Sequence, residues 1–292
     1  MRRSDNQVLT ITPGVKLAVK PMIDSALPNQ REFKTICELV NSKLGMKFGE
    51  EKYPLITSRL GKRLRELGMQ SYRPYLELVM RDQDEETLMI NLLTTNVTQF
   101  FREPWQFRYL QETLIPTIIQ KNRNKTIRCW SAGCATGEEA YTLGMILLDT
   151  LPSDWNVKIL ASDICTSSLS YGSQGIYTDE QIRNIPNTYL QKYFTAAQPG
   201  TFRVHDNLRQ AVFFRQINLN EPSALPQNIV VDFIFCRNVF IYFTKETQTR
   251  AIDLFYAHLS PRGHLFLGHS ESIDCLRDPR WESLKGCVYR RR

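Results

Sequence analysis

Four short segments of this 292-residue chain carry side chains suited to chemistry. The first is Trp130-Ser131-Ala132-Gly133-Cys134-Ala135-Thr136-Gly137-Glu138-Glu139, placed where a strand should end and a helix begin. Glycines there let the backbone approach a ligand closely, above the N–H groups of the helix N-terminus. The segment is not the G-x-G-x-x-G of dinucleotide sites, and it lacks the lysine of a P-loop. Two glutamates at a helix start would repel a phosphate. They suit a ligand with no phosphate and some positive charge. The plainer reading is a glycine-rich turn followed by helix-favouring acids. The second feature is Asp163, 26 residues beyond Gly137, at the end of the next strand. A carboxylate there can accept both hydroxyls of a ribose, although an Asp in that place equally serves as a helix N-cap. Together they point to an adenosine ligand bound without a pyrophosphate. S-adenosylmethionine fits, with its ribose, amino acid end and sulfonium cation.

The third segment is Cys236-Arg237-Asn238-Val239-Phe240-Ile241-Tyr242-Phe243, at the exit of a strongly apolar run. Open α/β sheets bind ligands at such strand exits. Asn238 offers amide donors and an acceptor, and Tyr242 a hydroxyl. The fourth, Thr94-Thr95-Asn96-Val97-Thr98-Gln99-Phe100-Phe101-Arg102-Glu103, puts small polar residues, two aromatics and an arginine together between two regions of different pattern. Arg102 can clamp a carboxylate through paired hydrogen bonds. Taken singly, each of these residues is more often structural than functional.

The elements that must position them follow from periodicity. Residues 1–27 show no clear period and read as a mobile leader. Residues 28–94 read as helices without strand-like alternation, a small N-terminal bundle. From 95 to 292 the pattern is α/β: strands at Thr126–Ser131, Val157–Asp163, Ile229–Asn238 and His264–Gly268, helices at Gly137–Leu151 and Thr244–Leu259, and a turn at Pro261-Arg262-Gly263. Strands alternating with helices predict a mostly parallel sheet covered on both faces. Residues about 198–218 alternate over short spans, which predicts a small antiparallel β insert with its turn at Asp206-Asn207.

Composition narrows the classes. Apolar and charged fractions of 42% and 23% are ordinary for a globular chain. No run approaches the ~18 apolar residues of a membrane span, and no apolar core follows Arg2 and Arg3 as in a secretory signal, so a cytoplasmic protein is expected. Seven cysteines with no C-x-x-C pair, and four histidines with no metal-ligand spacing, argue against a disulfide framework and a metal site. The net charge of +7 is localised: residues 1–75 hold 14 Lys/Arg against 7 Asp/Glu, whereas residues 76–292 hold 23 of each. Its densest part is a helix. Ile56, Leu60, Leu64 and Leu67 share one face, and Arg59, Lys62, Arg63 and Arg65 fan across the other. Gly68 is placed to stop it. No aromatics interleave with these cations, as single-strand nucleic-acid platforms need. The remaining readings are a solvated basic face or a docking surface for an acidic partner.

The four segments together resemble the chemotaxis receptor methyltransferase family, CheR. The matching stretches are T-T-N-V-T-Q-F-F-R-E, W-S-A-G-C-A-T-G-E-E, A-S-D, I-N-L, F-C-R-N-V-F-I-Y-F and L-F-L-G-H-S-E, in family order from about residue 30 onward, with the helix ending R-L-R-E-L-G. Ala140 departs from a proline the family often has. The resemblance implies a Rossmann-like S-adenosylmethionine-dependent methyltransferase sheet with a small antiparallel β insert, preceded by an all-helical domain. It implies methyl transfer to glutamate side chains of methyl-accepting chemotaxis receptors, with S-adenosylhomocysteine as product. Carried over by motif, the cofactor would meet Asn96, Thr98, Arg102, Glu139, Asp163, Asn218, Leu219, Asn238 and Val239. Arg102 and Tyr242 would act on the substrate carboxylate. Arg59, Lys62, Arg63 and Arg65 would guide acidic receptor helices, and the β insert matches a subdomain that docks a receptor tether in some members. A monomer without nucleic acid, metal or membrane insertion is expected. Two rivals stand beside this reading. A nucleic-acid methyltransferase is weakened because Asn220-Glu221-Pro222-Ser223 lacks the second proline and the aromatic of [DN]-P-P-[YF]. The other rival is a non-catalytic adaptor that binds S-adenosylmethionine or receptor and signals by occupancy.

Overall fold

The computed structural model describes residues 27–221, 223, 225–273 and 278–292. The expectation of a mobile leader therefore falls outside the described residues, apart from Leu27. The N-terminal bundle consists of α1 (Gln30–Leu44), α2 (Tyr53–Glu66), α3 (Tyr72–Arg81) and α4 (Gln83–Leu93). Each boundary has a local cause. Asn29 and Glu32 form a reciprocal capping box at the start of α1. The Asp82 side chain accepts from the Asp84 and Glu85 amides to open α4. At the end of α2, Gly68 has φ 68° and the Met69 and Gly68 amides bond back to Leu64 and Arg65, a Schellman closure. The apolar faces meet in one core that includes Ile36, Val40, Ile56, Leu60, Leu64, Tyr72 and Tyr75.

The second region runs α5 (Pro104–Tyr109), α6 (Ile115–Lys121), β1 (Thr126–Ala132), α7 (Glu138–Thr150), β2 (Asn156–Asp163), α8 (Thr166–Gln174), β3 (Ile176–Thr178), α9 (Asp179–Ile182), α10 (Asn187–Tyr193), β4 (Phe194–Gln198), β5 (Thr201–Val204), α11 (Asp206–Gln210), β6 (Val212–Gln216), β7 (Val231–Cys236), α12 (Lys245–His258), β8 (Leu259–Leu267), β9 (Trp281–Ser283) and β10 (Val288–Arg291). Seven strands form one sheet in the order β6-β2-β1-β7-β8-β10-β9. It is parallel from β6 through β8, with β10 and β9 antiparallel at the edge. Alternate residues of the central strands face opposite cores. Ile127, Cys129, Phe233 and Phe235 pack against α7 residues on one side. Trp130, Ile234 and Cys236 pack against α12 on the other. Burial on both faces explains the near-continuous apolar run of β7.

Three sequence expectations need correction. The antiparallel insert is built from β3, β5 and β4, so it lies earlier than 198–218. Asp206-Asn207 opens α11 rather than a turn, and β6 joins the main sheet parallel to β2. Alternation over five residues looks the same in a hairpin and in a parallel edge strand, and the partner is chosen at long range. Pro261-Arg262-Gly263 is a bulge inside β8: pairing with β7 jumps from Val231–Leu259 to Phe233–His264, and Arg262 takes φ 62° there.

Candidate active site

The parallel strands β2, β1 and β7 all deliver their C-terminal ends to one cleft of about 880 Å³, counting its open mouth. The strand order reverses beside β1, where open α/β sheets leave a crevice. The lining includes Asn96, Thr98, Arg102, Glu139, Asp163, Asn218, Leu219, Asn238, Val239 and Tyr242. All ten residues expected at the cofactor or the substrate carboxylate thus share one wall-to-wall cavity. Leu44 and Met46 of the helical bundle line it too.

The bundle is stitched to the sheet beside that cavity. Met46 bridges Phe243, with Lys47 donating to the Tyr242 carbonyl at 2.7 Å and Thr244 to that of Gly45 at 3.0 Å. Gly45 has φ 64°, and a Cβ there would lie 2.0 Å from Thr247 Oγ1, so no larger residue fits. The Asn218 amide nitrogen donates to the Lys43 carbonyl at 2.8 Å. That leaves the backbone at Asn218, with Ile217 and Leu219, to face the cleft.

Asp163 is buried, and its two oxygens accept the Ala135 and Cys165 amides at 2.9 Å each. Burial pushes its carboxyl above the ordinary range, while the amides of Cys165 and Ala135 pull the other way. Gly133 takes φ 80°, and a Cβ on it would lie 2.4 Å from Val239 Cγ2. The glycine-rich turn therefore packs directly against the loop after β7. The two glutamates that follow separate. Glu138 turns to Thr136 Oγ1 at 2.7 Å and to Gln181 at 3.4 Å. Burial raises its carboxyl. Only Glu139 lines the cleft, and it is already neutralised. Ser131 Oγ donates to Oε1 at 2.7 Å and Arg237 Nε to Oε2 at 2.7 Å. The expectation that both carboxylates repel an anion is corrected accordingly.

Arg237, quoted in the motif but given no role there, is the centre of this wall. Its side chain is 2% exposed. Its guanidinium lies over the rings of Phe107 and Phe235. Besides Glu139 it donates to the Arg102 carbonyl at 2.7 Å and to Gln106 Oε1 at 3.0 Å. Gln106 in turn donates to the Leu267 carbonyl at 2.6 Å. Glu271 plays the matching part under the loop after β7. It accepts the Gly268 and Asn238 amides at 2.7 and 2.8 Å and that of Ile241 at 3.3 Å. Burial raises its carboxyl against those amides. An arginine closing an apolar strand was the available signal for Arg237; Glu271 ends the quoted L-F-L-G-H-S-E stretch, which was given no role there.

Strain collects here. Of seven non-glycine residues with positive φ among the described residues, Phe101, Glu103, Ala135 and Asn238 all flank the cleft. Such conformations cost of order 1–3 kcal/mol each and persist only where surrounding contacts enforce them. Arg102 sits between two of them. Its guanidinium donates to the Val97 carbonyl at 3.1 Å, which leaves most of its planar fork open to the cleft. Among the described residues, Asn238 Oδ1 is buried with no partner, an acceptor awaiting a donor.

The basic helix is only half as expected. Arg59 donates to the Leu92 and Thr94 carbonyls at 2.6 and 2.7 Å. Arg63 makes a two-pronged pair with buried Glu85 at 2.9 and 2.7 Å. Both tie α2 to α4, and Arg59 also ties it to the start of the 94–103 segment. Lys62 and Arg65 are exposed.

The CheR methyltransferase, SAM binding domain model matches residues 96–288, and the CheR methyltransferase, all-alpha domain model residues 31–94. The chain belongs to the CheR methyltransferase family. It is 38% identical over 235 residues to chemotaxis protein methyltransferase 2 of Vibrio cholerae, covering 79% of this chain and 82% of that one. Against chemotaxis protein methyltransferase 2 of Pseudomonas aeruginosa it is 40% identical over 248 residues, 84% and 87% of the two chains. With the Escherichia coli chemotaxis protein methyltransferase it shares 38% over 253 residues, 84% and 85%. This CheR chain is an S-adenosylmethionine-dependent methyltransferase of chemotaxis, with the helical domain and mostly parallel sheet expected of it. No helix of the described residues is long and apolar enough to cross a membrane.

Proposed function

We propose that the chain methylates glutamate side-chain carboxylates of chemotaxis receptors, giving glutamyl methyl esters and S-adenosylhomocysteine. The observation that carries this reading is the open guanidinium fork of Arg102 in the same cleft as Tyr242, Asp163 and Asn238. The donor set fits S-adenosylmethionine. Asp163 would take the ribose hydroxyls, the unpartnered Asn238 Oδ1 is free to accept from the amino group, and Ile217 and Leu219 offer an apolar seat for the adenine. Asn96, Thr98, Glu139 and Val239 complete the wall.

When bound, the cofactor supplies a methyl group on a positively charged sulfur; a carboxylate oxygen forms the new C–O bond as the C–S bond breaks, and its electron pair stays on sulfur. A glutamate with a pKa near ~4.3 is ionised at neutral pH and needs no general base. The chain's task is therefore placement. Arg102 holds the incoming carboxylate and Tyr242 orients it with its hydroxyl. The β insert presents β4 as an open edge beyond β5, a surface on which an extended receptor tether can add a strand.

The test uses methyl-labelled S-adenosylmethionine with receptor-bearing membranes. Alkali should release volatile labelled methanol from the receptor, because esters hydrolyse and methylated nitrogens do not. Stable label, or label on nucleic acid in a parallel reaction, would overturn the proposal.

Lys62 and Arg65 remain the candidates for steering an acidic receptor helix. Reversing both to Glu should raise KM for receptor roughly three- to tenfold at low salt, in line with ~0.2–1 kcal/mol per exposed charge pair. The effect should shrink as salt screens charges beyond ~8–10 Å. Reversing Arg59 or Arg63 should instead lower thermal stability, since their partners lie inside the protein.

A further inference from the structure

We propose that the starts of the parallel strands carry a second ligand site, a cationic hollow that takes a polyphosphate anion, at the opposite end of the sheet from the methyl-transfer cleft.

The end of α6, the turn into β1, the bulge of β8 and the start of β7 frame the hollow, with β10 at its side. It shares no lining residue with the cleft. Lys121, Arg123, Arg262 and Arg290 line it, against one acid, Asp232. Lys121, Arg123 and Arg262 are exposed and make no ion pair among the described residues. Arg290 is tied to Glu282 through Nε and Nη2, at 2.9 and 2.5 Å. Asp232 accepts the Arg128 amide at 2.8 Å, and burial raises its carboxyl. Even with Glu282 counted, four cations face two carboxylates. Like charges gathered in one concavity repel one another, and an anion entering it relieves that repulsion.

A second, independent observation concerns His264. It lines the hollow and is only 8% exposed, and its Nδ1 is buried with no hydrogen-bond partner among the described residues. A buried ring nitrogen without a partner carries a desolvation cost that a ligand can offset. Strand register fixes the side on which the ring lies. His264 pairs with Phe233 of β7 and with Arg290 of β10, so imidazole and guanidinium leave the sheet on the same face. Burial, helped by Arg290 and Arg262 and opposed by Glu282, lowers the imidazole to about 4. At neutral pH the ring is therefore uncharged, and one of its nitrogens carries a hydrogen to donate.

The chemistry of the donors selects the ligand. Arginine meets phosphate oxygens with a planar fork, and lysine meets them as a point charge. The cations come from three separate places in the chain: α6 with its turn, the β8 bulge and β10. A lone carboxylate would engage one fork, whereas linked phosphates carry enough oxygens for the set. Leu114, Ile118 and Pro261 add an apolar margin. A bare polyphosphate and a nucleotide share the chemistry required.

The test is calorimetry on the full chain in magnesium-free buffer, saturated with S-adenosylhomocysteine so that the cleft is filled. Turnover is not involved, so the outcome does not depend on which carboxylate is methylated. Inorganic pyrophosphate and guanosine triphosphate are the probes. Pyrophosphate should bind wild type, and the variant Lys121→Gln, Arg123→Gln, Arg262→Asn should bind it at least about tenfold more weakly, since bonds to ionised partners are the strong ones. Asparagine suits position 262 because it tolerates left-handed backbone, and Arg262 has φ 62°. S-adenosylhomocysteine affinity and melting temperature should hold in this variant. The His264 ring signals in NMR, assigned with His264→Asn, should shift as pyrophosphate is added, which diffuse attraction to surface charge would not cause. Tighter binding of guanosine triphosphate would make the ligand a nucleotide; equal or weaker binding would make it the polyphosphate alone. Absence of binding by both anions, undiminished binding in the triple variant, or an unmoved His264 ring would each overturn the proposal.

Discussion

Arg237→Leu should abolish methyl transfer and lower stability by about 3–5 kcal/mol, the usual cost of stripping one partner from a buried ion pair. The Glu139 carboxylate would be left buried beside Ser131 with no countercharge. The Arg102 carbonyl would lose its grip in a turn whose two neighbours, Phe101 and Glu103, hold left-handed backbone. For a chain of this size the loss corresponds to a fall in melting temperature on the order of 10 °C, readable by circular dichroism. A second variant separates charge from position. Arg237→Leu with Glu139→Gln removes the closer of the two carboxylates left behind, Glu103 lying 3.7 Å from Arg237, so it should recover part of the melting temperature. It should not recover activity, because the strained turn carrying Arg102 stays unclamped. A single variant that melts with wild type would show that Arg237 does not hold this wall together.

The second large effect is expected at Asp163. Asp163→Ala should weaken S-adenosylhomocysteine binding roughly a hundredfold or more, since each charge-assisted hydrogen bond to a ribose hydroxyl contributes about 1.5–3 kcal/mol. The same change frees the Ala135 amide, which Asp163 holds at φ 47° beside the cleft. Asp163→Asn should lie between the two. Its NH2 must replace one acceptor oxygen, facing either a backbone donor or a sugar hydroxyl. Calorimetry below the melting temperature measures this directly, and an affinity within threefold of wild type would remove Asp163 from the ribose role.

Much of the site was legible because its pieces are local. The turn at Gly133–Gly137, the strand ending in Asp163 and the loop at Asn238–Tyr242 each announce themselves by residue type and by the change of period around them. Strand exits in a parallel sheet converge at one end, so naming the strands placed the residues together. Other features were not legible. The 3.6-residue period of α2 separates its apolar from its polar face, but it cannot say that α4 would bring Glu85 against Arg63. Nor can it say that the chain would turn the Leu92 and Thr94 carbonyls toward Arg59.

By itself the sequence determined the helical-then-α/β order, the central apolar strand, the set of cleft residues and the localised positive charge. The order, the strand and the charge rest on local propensity, periodicity and composition, whereas most of the cleft set came from the motifs the chain shares with its family. Tertiary structure alone decided that Glu139 faces the cleft while Glu138 turns away, that Arg237 and Glu271 brace the two loops of the mouth, that β6 joins the parallel sheet, and that only Lys62 and Arg65 of the four helix cations face solvent. Most of those outcomes depend on groups brought together from positions distant in sequence, as Arg237 is with Glu139 and Glu271 with the Asn238 amide. A buried charge is tolerated only where packing has delivered its countercharge or hydrogen-bond donors, and no local pattern encodes where that partner will come from.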